Sequence, residues 1–486
     1  MSELLSRREF VTGVSAAAVP LVLGSRALNG AEPSPVGFAT GIRAGEMTAN
    51  SARIWSRLTK SAGRAPGNGL FEQAVRKKNV PSPPTPPDPE IDALQGACPA
   101  AGGRVRVRYS NDESFRDAQS SEWADVGPER DGIHHFDLRD LTPGTEYFYV
   151  AEGKAADGSP VAELRGRFRT APAEATAAPV RFCVMTCQGY HDRGHQDGHP
   201  IYPAMQALNP DFAVMTGDLV YYDNDPPTAV TTRLARYHWE RMFSLPRLRD
   251  FTRQFGAYWL KDDHDTLKND SWPGTNAGQL TFETGQDLFR QQSPQGEGPA
   301  YRTFRWGRDL QIWFTDGRDF RSPNSIPDGP GKTIWGRDQT EWFQKTVKAS
   351  TARWKVLVSP TPLVGPDRPK KNDNHANEGF QHEGDEIRAW LKAHVPGNFF
   401  VICGDRHWQY HSIHPETGLH EFSAGPASDE HAGGTPGEDK AYHQFHRVKG
   451  GFLSVTVTPA GANASILFRH HDVTGKVVYE YVPRPV

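Results

Sequence analysis

Several short segments of this sequence carry side chains able to bind metal ions, and each follows directly on an apolar run. Val180–Met185 leads into Thr186-Cys187-Gln188, and Phe212–Met215 leads into Thr216-Gly217-Asp218-Leu219-Val220-Tyr221. Phe255–Leu260 leads into Lys261-Asp262-Asp263-His264-Asp265, and Leu310–Phe314 into Thr315-Asp316-Gly317-Arg318. Phe399–Ile402 leads into Cys403-Gly404-Asp405-Arg406-His407. A Gly-Asp after a strand is commonly a turn, and a lone Asp-His pair is commonly a surface hydrogen bond. Their recurrence in order, each at the end of an apolar run, is more specific. Several carboxylates in one pocket would repel one another unless cations compensated them. Thiol, phenol, imidazole and carboxylate together are metal-site chemistry.

For these residues to meet, the apolar runs must be strands of one α/β architecture. In such sheets the carboxyl ends of parallel strands share an edge, and ligands bind there. Trp354–Val358 is a further run of this kind. Between the runs lie helix candidates over Thr231–Phe243, Arg337–Ala349 and Glu383–His394. In the last, Ile387, Trp390, Leu391 and His394 recur at helical spacing and read as a core stripe. Strands return at Phe452–Val457, Ala464–Phe468 and Val477–Tyr481. This catalytic-type region spans 180–484.

Residues 36–172 have a different texture. Arg104–Tyr109 alternates, with Val105, Val107 and Tyr109 on one face, and Ala49–Leu58, Tyr147–Val150 and Arg165–Thr170 also read as strands. Leu141-Thr142-Pro143-Gly144-Thr145-Glu146-Tyr147-Phe148-Tyr149 resembles a fibronectin-type turn and strand, so an all-β fibronectin- or Ig-like sandwich is expected. Residues 63–102 interrupt it. Their run Pro81–Pro89 is read as extended and exposed, because proline supplies no N–H donor. Ala171–Pro179 is a linker. At the N-terminus, Ser6-Arg7-Arg8-Glu9-Phe10-Val11 precedes a weakly apolar, small-residue stretch, the order of a twin-arginine signal within residues 1–31. That predicts export by the twin-arginine machinery and a periplasmic or extracellular location, with no transmembrane anchor.

A net charge of −3 on 486 residues gives no basis for a stable nucleic-acid complex or an anionic-membrane binder. The cysteines Cys98, Cys183, Cys187 and Cys403 fit no zinc-ribbon or redox spacing, and Cys183 and Cys403 read as buried hydrophobes. His411, His414, His420, His443, His446, His470 and His471 carry no motif and read as surface or structural. His191, His195 and His199 suit a mobile pocket-rim loop better than a metal tract.

Together the strand-end motifs resemble the alkaline phosphatase D (PhoD) family of calcineurin-like metallophosphoesterases. Trp335-Gly336-Arg337-Asp338-Gln339-Thr340-Glu341-Trp342 resembles that family's Gly-x-x-Gln-x-x-Trp helix start. The Pro-rich insertion departs from the family, as does Gly317, where the family tends to have Thr. The resemblance implies a four-layer αββα core behind the β-sandwich. It implies that Asp218 bridges two metals, with Cys187, Tyr221 and His407 completing an Fe³⁺ site, and Asp263 and Asp405 serving a Ca²⁺ site. Oxygen donors favour Ca²⁺ where relatives place nitrogen. Asn269 is a weaker ligand candidate. His264 is the expected proton donor, and Arg318 a candidate phosphate clamp or a partner of Asp316 or Asp319. The implied activity is hydrolysis of phosphomonoesters or phosphodiesters. The alternatives are a specialised diesterase or phospholipase on teichoic acid, lipid or nucleotide substrates, and a catalytically silent surface binding protein.

Overall fold

In the computed structural model the described residues are 36–67, 85–157, 161–395 and 397–484. The twin-arginine segment lies outside them, as do residues 68–84 with the first half of the Pro-rich run.

Alternation builds the first part of the chain. Strands Ile42–Gly45, Ala52–Arg57 and Ile133–Leu138 form one antiparallel sheet. Gly103–Ser110 pairs with Glu146–Ala155, Gln119–Ser120 and Ala124–Val126, and Glu146–Ala155 with Ala162–Arg169, to form a second. Inward residues of both, including Ile42, Ile54, Phe136, Val105, Val107, Tyr149 and Phe168, share one apolar cluster. The Tyr147 hydroxyl accepts the Thr142 N–H at 2.9 Å. This ties the turn back on the strand, as a tyrosine corner does.

Thr85–Pro87 carry no helix or strand, but from Asp88 on the insertion is not extended, and from Ile91 on it turns into the interior. Asp88–Ile91 is a helical turn, and Pro89 sits in its first turn, where no intrahelical N–H is required. Ile91, Leu94, Ala97 and Cys98 are buried. The Cys98 N–H donates to Glu240 of the helix Thr232–Phe243 at 2.8 Å. Glu240 belongs to a buried network: Arg57 meets Asp131 at 2.8 Å and Glu240 at 3.1 Å, and Arg233 meets Glu240 at 2.9 Å and Asp92 at 2.8 Å. Charges taken this far from water persist only when paired, so the network fixes how the β-strands dock on the helix.

Beyond residue 180 two sheets carry the chain. One runs in the order Ala257–Leu260, Phe212–Thr216, Val180–Met185, Gly451–Ala460, Asn463–Asp472, Val477–Tyr481; its first three strands are parallel and the others antiparallel. The other runs Arg302–Trp306, Leu310–Phe314, Trp354–Ser359, Phe399–Cys403, His420–Ala424, Gln409–Ile413, His443–Arg447, with a parallel centre from Leu310–Phe314 to His420–Ala424. Period-two alternation assigns the faces. Phe182, Val184, Ile312, Phe314, Phe400 and Ile402 fall in one shared cluster. Cys183 and Met185 pack instead with Leu234, Trp239, Leu248 and Phe289 of helices on their side. Trp313, Leu357 and Val401 pack with Phe343, Ile387 and Leu391 of the helices Gly336–Ala349 and Gln381–His394. Strands covered on both faces read as near-continuous apolar runs, and here Arg181, Gln311 and Lys355 interrupt them only at the second position of their strands.

Candidate active site

The parallel strands of both sheets end at the same place. Cys187, Asp218 and Asp405 follow their strands in left-handed backbone, at φ 50°, 55° and 62°. That conformation is sparsely populated by non-glycine residues, and it turns a side chain sharply out of the strand direction. The glycines before two of them have a packing reason. A Cβ at Gly217, itself at φ 91°, would lie 2.7 Å from Asp262 Cβ, and one at Gly404 would lie 2.5 Å from the Thr216 carbonyl oxygen and 2.7 Å from that of Pro360. The Gly-Asp motifs therefore let neighbouring strand ends close on one another while the aspartate turns into the shared space.

Asp218 lies at the centre. Its carboxylate falls in three groups of potential donor atoms, each within 4.8 Å of one another: with Cys187 and His407, with Asp263 and His264, and with Asp262 and Asp405. Cys187 Sγ is 3.4 Å from Asp218 Oδ2, and the Tyr221 hydroxyl is 3.2 Å from the same oxygen and 3.3 Å from His407 Nε2. Cys187, Asp218, Tyr221 and Asp263 are buried, and His407 and Asp405 partly so. Asp263 Oδ2 accepts the Asp270 N–H at 2.6 Å.

The electrostatics of this cluster fit a cation. Burial pushes the Asp218 carboxyl up to about 7, with Asp263 and Asp265 adding to the shift against His264. Burial, and then the Asp218 charge, hold the Cys187 thiol and the Tyr221 phenol well above their usual ranges. Buried oxygens Asp218 Oδ1 and Asp262 Oδ2 have no hydrogen-bond partner. Buried polar atoms of native proteins are normally satisfied, and a cation among these oxygens, the thiol and the imidazole would satisfy them. The donor set accepts a metal on both chemistry and geometry.

His264 stands beside this set. Its Nδ1 is 2.6 Å from Asp223 Oδ1, and its ring lies 4.5 Å from that of Tyr221. Burial alone would lower its pKa, but Asp263, Asp218 and Asp223 outweigh burial and raise it to about 10. Arg318 is placed differently from the sequence reading. Asp316 accepts the backbone N–H groups of Arg318 and Asp319 at 2.9 and 2.6 Å, and both Asp316 and Asp319 pair with Lys261. The Arg318 side chain instead turns inward to Asp262 at 2.5 Å, with Asp263 at 3.6 Å. With no exposed surface, it lies behind the carboxylates and balances their charge. Asn269 is exposed, and only its backbone N–H joins the arrangement, at 2.9 Å from Asp223 Oδ2.

Other participants have a weaker sequence signal. Asp262 stands in the same motif as Asp263, and its place there, next to a candidate ligand, is the signal that points to it. Asp223 carried no signal beyond its closeness to Tyr221. His431 lies in a glycine-rich loop with no strand-end signature, yet its Nε2 is 2.9 Å from the Tyr221 hydroxyl. The His191–His199 loop is more fixed than expected: His199 is buried with Nε2 3.0 Å from the Gly189 carbonyl, and His191 Nδ1 is 2.8 Å from Asp225. Of the remaining histidines, His411, His443, His470 and His471 are buried and structural.

The model of the family described as PhoD-like phosphatase matches residues 182–449, and that of its N-terminal domain matches residues 24–172. The chain belongs to the PhoD-like phosphatase family. It is a phosphoric ester hydrolase. Alkaline phosphatase D of Bacillus subtilis (strain 168) is 21% identical over 490 residues, covering 87% of this chain and 76% of that protein. A solved structure of PhoD superposes with a TM-score of 0.70 at 17% identity, over 93% of this chain and 90% of that one. The purple acid phosphatase PPD1 from yellow lupin (Lupinus luteus) seeds gives 0.60 at 13% identity, over 92% and 74%. Both share the fold. In this PhoD-like phosphatase the helix-start glutamine has a visible task. Gln339 accepts the Asp316 N–H at 2.7 Å and donates to its carbonyl at 2.9 Å, holding the loop that delivers Arg318.

Proposed function

We propose that this chain is an exported, alkaline phosphatase D-like enzyme that hydrolyses phosphomonoesters, phosphodiesters or both. The observation that carries the reading is the convergence of Cys187, Asp218, Asp262, Asp263, His264, Asp405 and His407 on one buried cluster centred on Asp218. Tyr221 joins it through Asp218 and His407. Cys187, Asp218, Tyr221 and His407 would hold Fe³⁺, since phenolate and carboxylate suit a hard trivalent ion. Asp218, Asp263 and Asp405, with Asp262 beside them, would hold Ca²⁺. A specialised diesterase acting on teichoic acid, lipid or nucleotide substrates remains the alternative in the same chemical class. A catalytically silent binding protein is disfavoured by the retention of Asp218, His264 and His407. The four-layer αββα arrangement is supported by the way the apolar clusters divide between the sheets and their helices. Export by the twin-arginine route, to the periplasm or beyond, rests on Arg7-Arg8 and the small-residue stretch after them. No helix among the described residues is long and apolar enough to cross a membrane.

Bound cations would offset charge on the phosphoryl oxygens and favour an attacking oxygen at neutral pH. The chain's own contribution is orientation and proton handling. Asp223 fixes the His264 ring, and the surrounding carboxylates favour its imidazolium, which suits donation of a proton to the departing alkoxide. Arg318 holds Asp262 and steadies Asp263 from behind. The test is hydrolysis of nitrophenyl phosphate and bis-nitrophenyl phosphate by the purified protein, with metal analysis. Turnover of either ester with iron and calcium present is the expected result. A metal-loaded protein that turns over neither removes the proposal.

A further inference from the structure

His431 is built into the site from several directions at once. The loop that carries it is pinned on either side to candidate ligand residues: the Ala427 N–H donates to the Cys187 carbonyl at 3.1 Å, and the Gly433 N–H to the His407 carbonyl at 3.0 Å. Within the loop, the Ser428 hydroxyl accepts the His431 N–H at 3.3 Å and itself donates to the Asp192 carbonyl. The imidazole is then held at both nitrogens. Nδ1 is 3.1 Å from Asp192 Oδ2, and Nε2 is 2.9 Å from the Tyr221 hydroxyl. Gly189 leaves room for it, because a Cβ there would lie 2.9 Å from His431 Nδ1. The ring lies 4.3 Å from that of His407 and 5.0 Å from that of Tyr221. A loop fastened to Cys187 and His407 thus presents an oriented imidazole to the phenol oxygen that completes the same set.

We propose that His431, oriented by Asp192, is a positioning residue for Tyr221: its hydrogen bond fixes the phenol oxygen and sets how strongly that oxygen donates to the metal. This rests on Tyr221 being a ligand, as read above. Hydrogen-bond partners of metal ligands fix ligand orientation and basicity, and losing one typically weakens metal binding by about 10- to 100-fold. Asp192 acts through His431, so its removal should move the same quantities by less.

The test compares the visible spectrum and iron retention of the full-length protein, reconstituted with Fe³⁺, with those of Tyr221→Phe, His431→Ala, His431→Gln and Asp192→Asn. Iron retention is read by competition with a chelator. Tyr221→Phe should remove the phenolate–iron absorption. His431→Ala should displace that band and weaken iron retention by about 10- to 100-fold. His431→Gln, which can still hydrogen-bond the phenol oxygen, should restore part of both. Asp192→Asn, a half-exposed change with little risk to folding, should displace the band in the same direction. A band lost in Tyr221→Phe but unmoved in the His431 and Asp192 variants, with iron held as tightly as before, overturns this inference and leaves the ligand reading standing. A spectrum unaffected by Tyr221→Phe overturns the ligand reading, and the inference falls with it.

Discussion

Replacing His264 by alanine tests the proposed chemistry most directly. The side chain lies beside the donor cluster, with Nδ1 2.6 Å from Asp223 and the ring against Tyr221. Removing it deletes a proton donor and leaves Cys187, Asp218, Tyr221, Asp263 and His407 in place. General acid groups contribute about 100- to 10,000-fold, which is about 3–5 kcal/mol of barrier. The loss should depend on the leaving group. A nitrophenolate departs readily without a proton, whereas an alkoxide needs one, so His264→Ala should lose about tenfold or more activity on an alkyl phosphate beyond its loss on nitrophenyl phosphate. Asp223→Asn should show the same pattern at smaller size. Because Asp223 acts through the ring, the double variant should be no worse than His264→Ala alone. The assay is steady-state kcat on both ester types, with metal content measured for each variant. Equal losses on the two esters, or near-normal kcat with intact metal, would refute His264 as the donor.

A calcium-selective chelator should silence the enzyme while most of its iron stays bound, Ca²⁺ should restore activity, and Zn²⁺ should restore it poorly; full activity after verified calcium removal would show that the carboxylate site is misassigned. Arg57→Met should cost about 3–5 kcal/mol in chemical denaturation, because it leaves the buried Asp131 carboxylate without its paired cation and Glu240 with Arg233 alone; a loss below about 1 kcal/mol would mean that the network does not hold the docking. His470 is fully buried, and burial pushes its imidazole down to about 3. Its unfolded pKa is about 6.5, so the unfolded chain binds the extra proton and stability falls as pH drops below that value. Between pH 7 and 5 the wild type should therefore lose about 2 kcal/mol more than His470→Gln, and equal slopes in urea melts would discount the histidine.

The catalytic half was legible where strands lie between covered faces. Val180–Met185 and Leu310–Phe314 read as apolar runs and are strands at those bounds. Their ends carried the ligand-type residues, and the structure brings Cys187, Asp218, Asp263, His264, Asp405 and His407 into overlapping groups. Elements that bury little were missed. The helix Pro246–Gln254 buries only Leu248, Phe251 and Thr252 in a strongly polar stretch, and its proline start reads as a break although proline is favoured there. Strand Gln409–Ile413 escapes for a different reason: Gln409, His411 and Ser412 are buried, yet their polar side chains hide it from an apolar pattern, and its edge neighbour His443–Arg447 is largely polar as well. In the site, residues adjoining strand ends could be found. Asp223 and His431 depend on loop paths that no local spacing encodes, and the Arg318 partner depended on Lys261 claiming Asp316 and Asp319.

This arrangement places the strain and the uncompensated charge together. Left-handed backbone at Cys187, Asp218 and Asp405 costs about 1–3 kcal/mol at each, and buried carboxylates with unpaired oxygens add to it. Such a cluster persists only if its surroundings over-determine it. Gly217 and Gly404 interlock the strand ends, leaving no room for a side chain. Glu421 receives the Leu363, Val364 and Gly365 N–H groups at 2.6, 3.0 and 2.8 Å. The loop it anchors brings Asp367 to Arg406, and Lys371 to within 2.7 Å of Asp270, whose N–H in turn holds Asp263. Asp367, Lys371 and Asp270 have no place among the grouped donor atoms, yet they fix where Asp263 and Arg406, the residue beside Asp405, can lie. A cation held there would offset the mutual repulsion of these carboxylates. Groups outside the cluster thus set the positions at which its carboxylates meet.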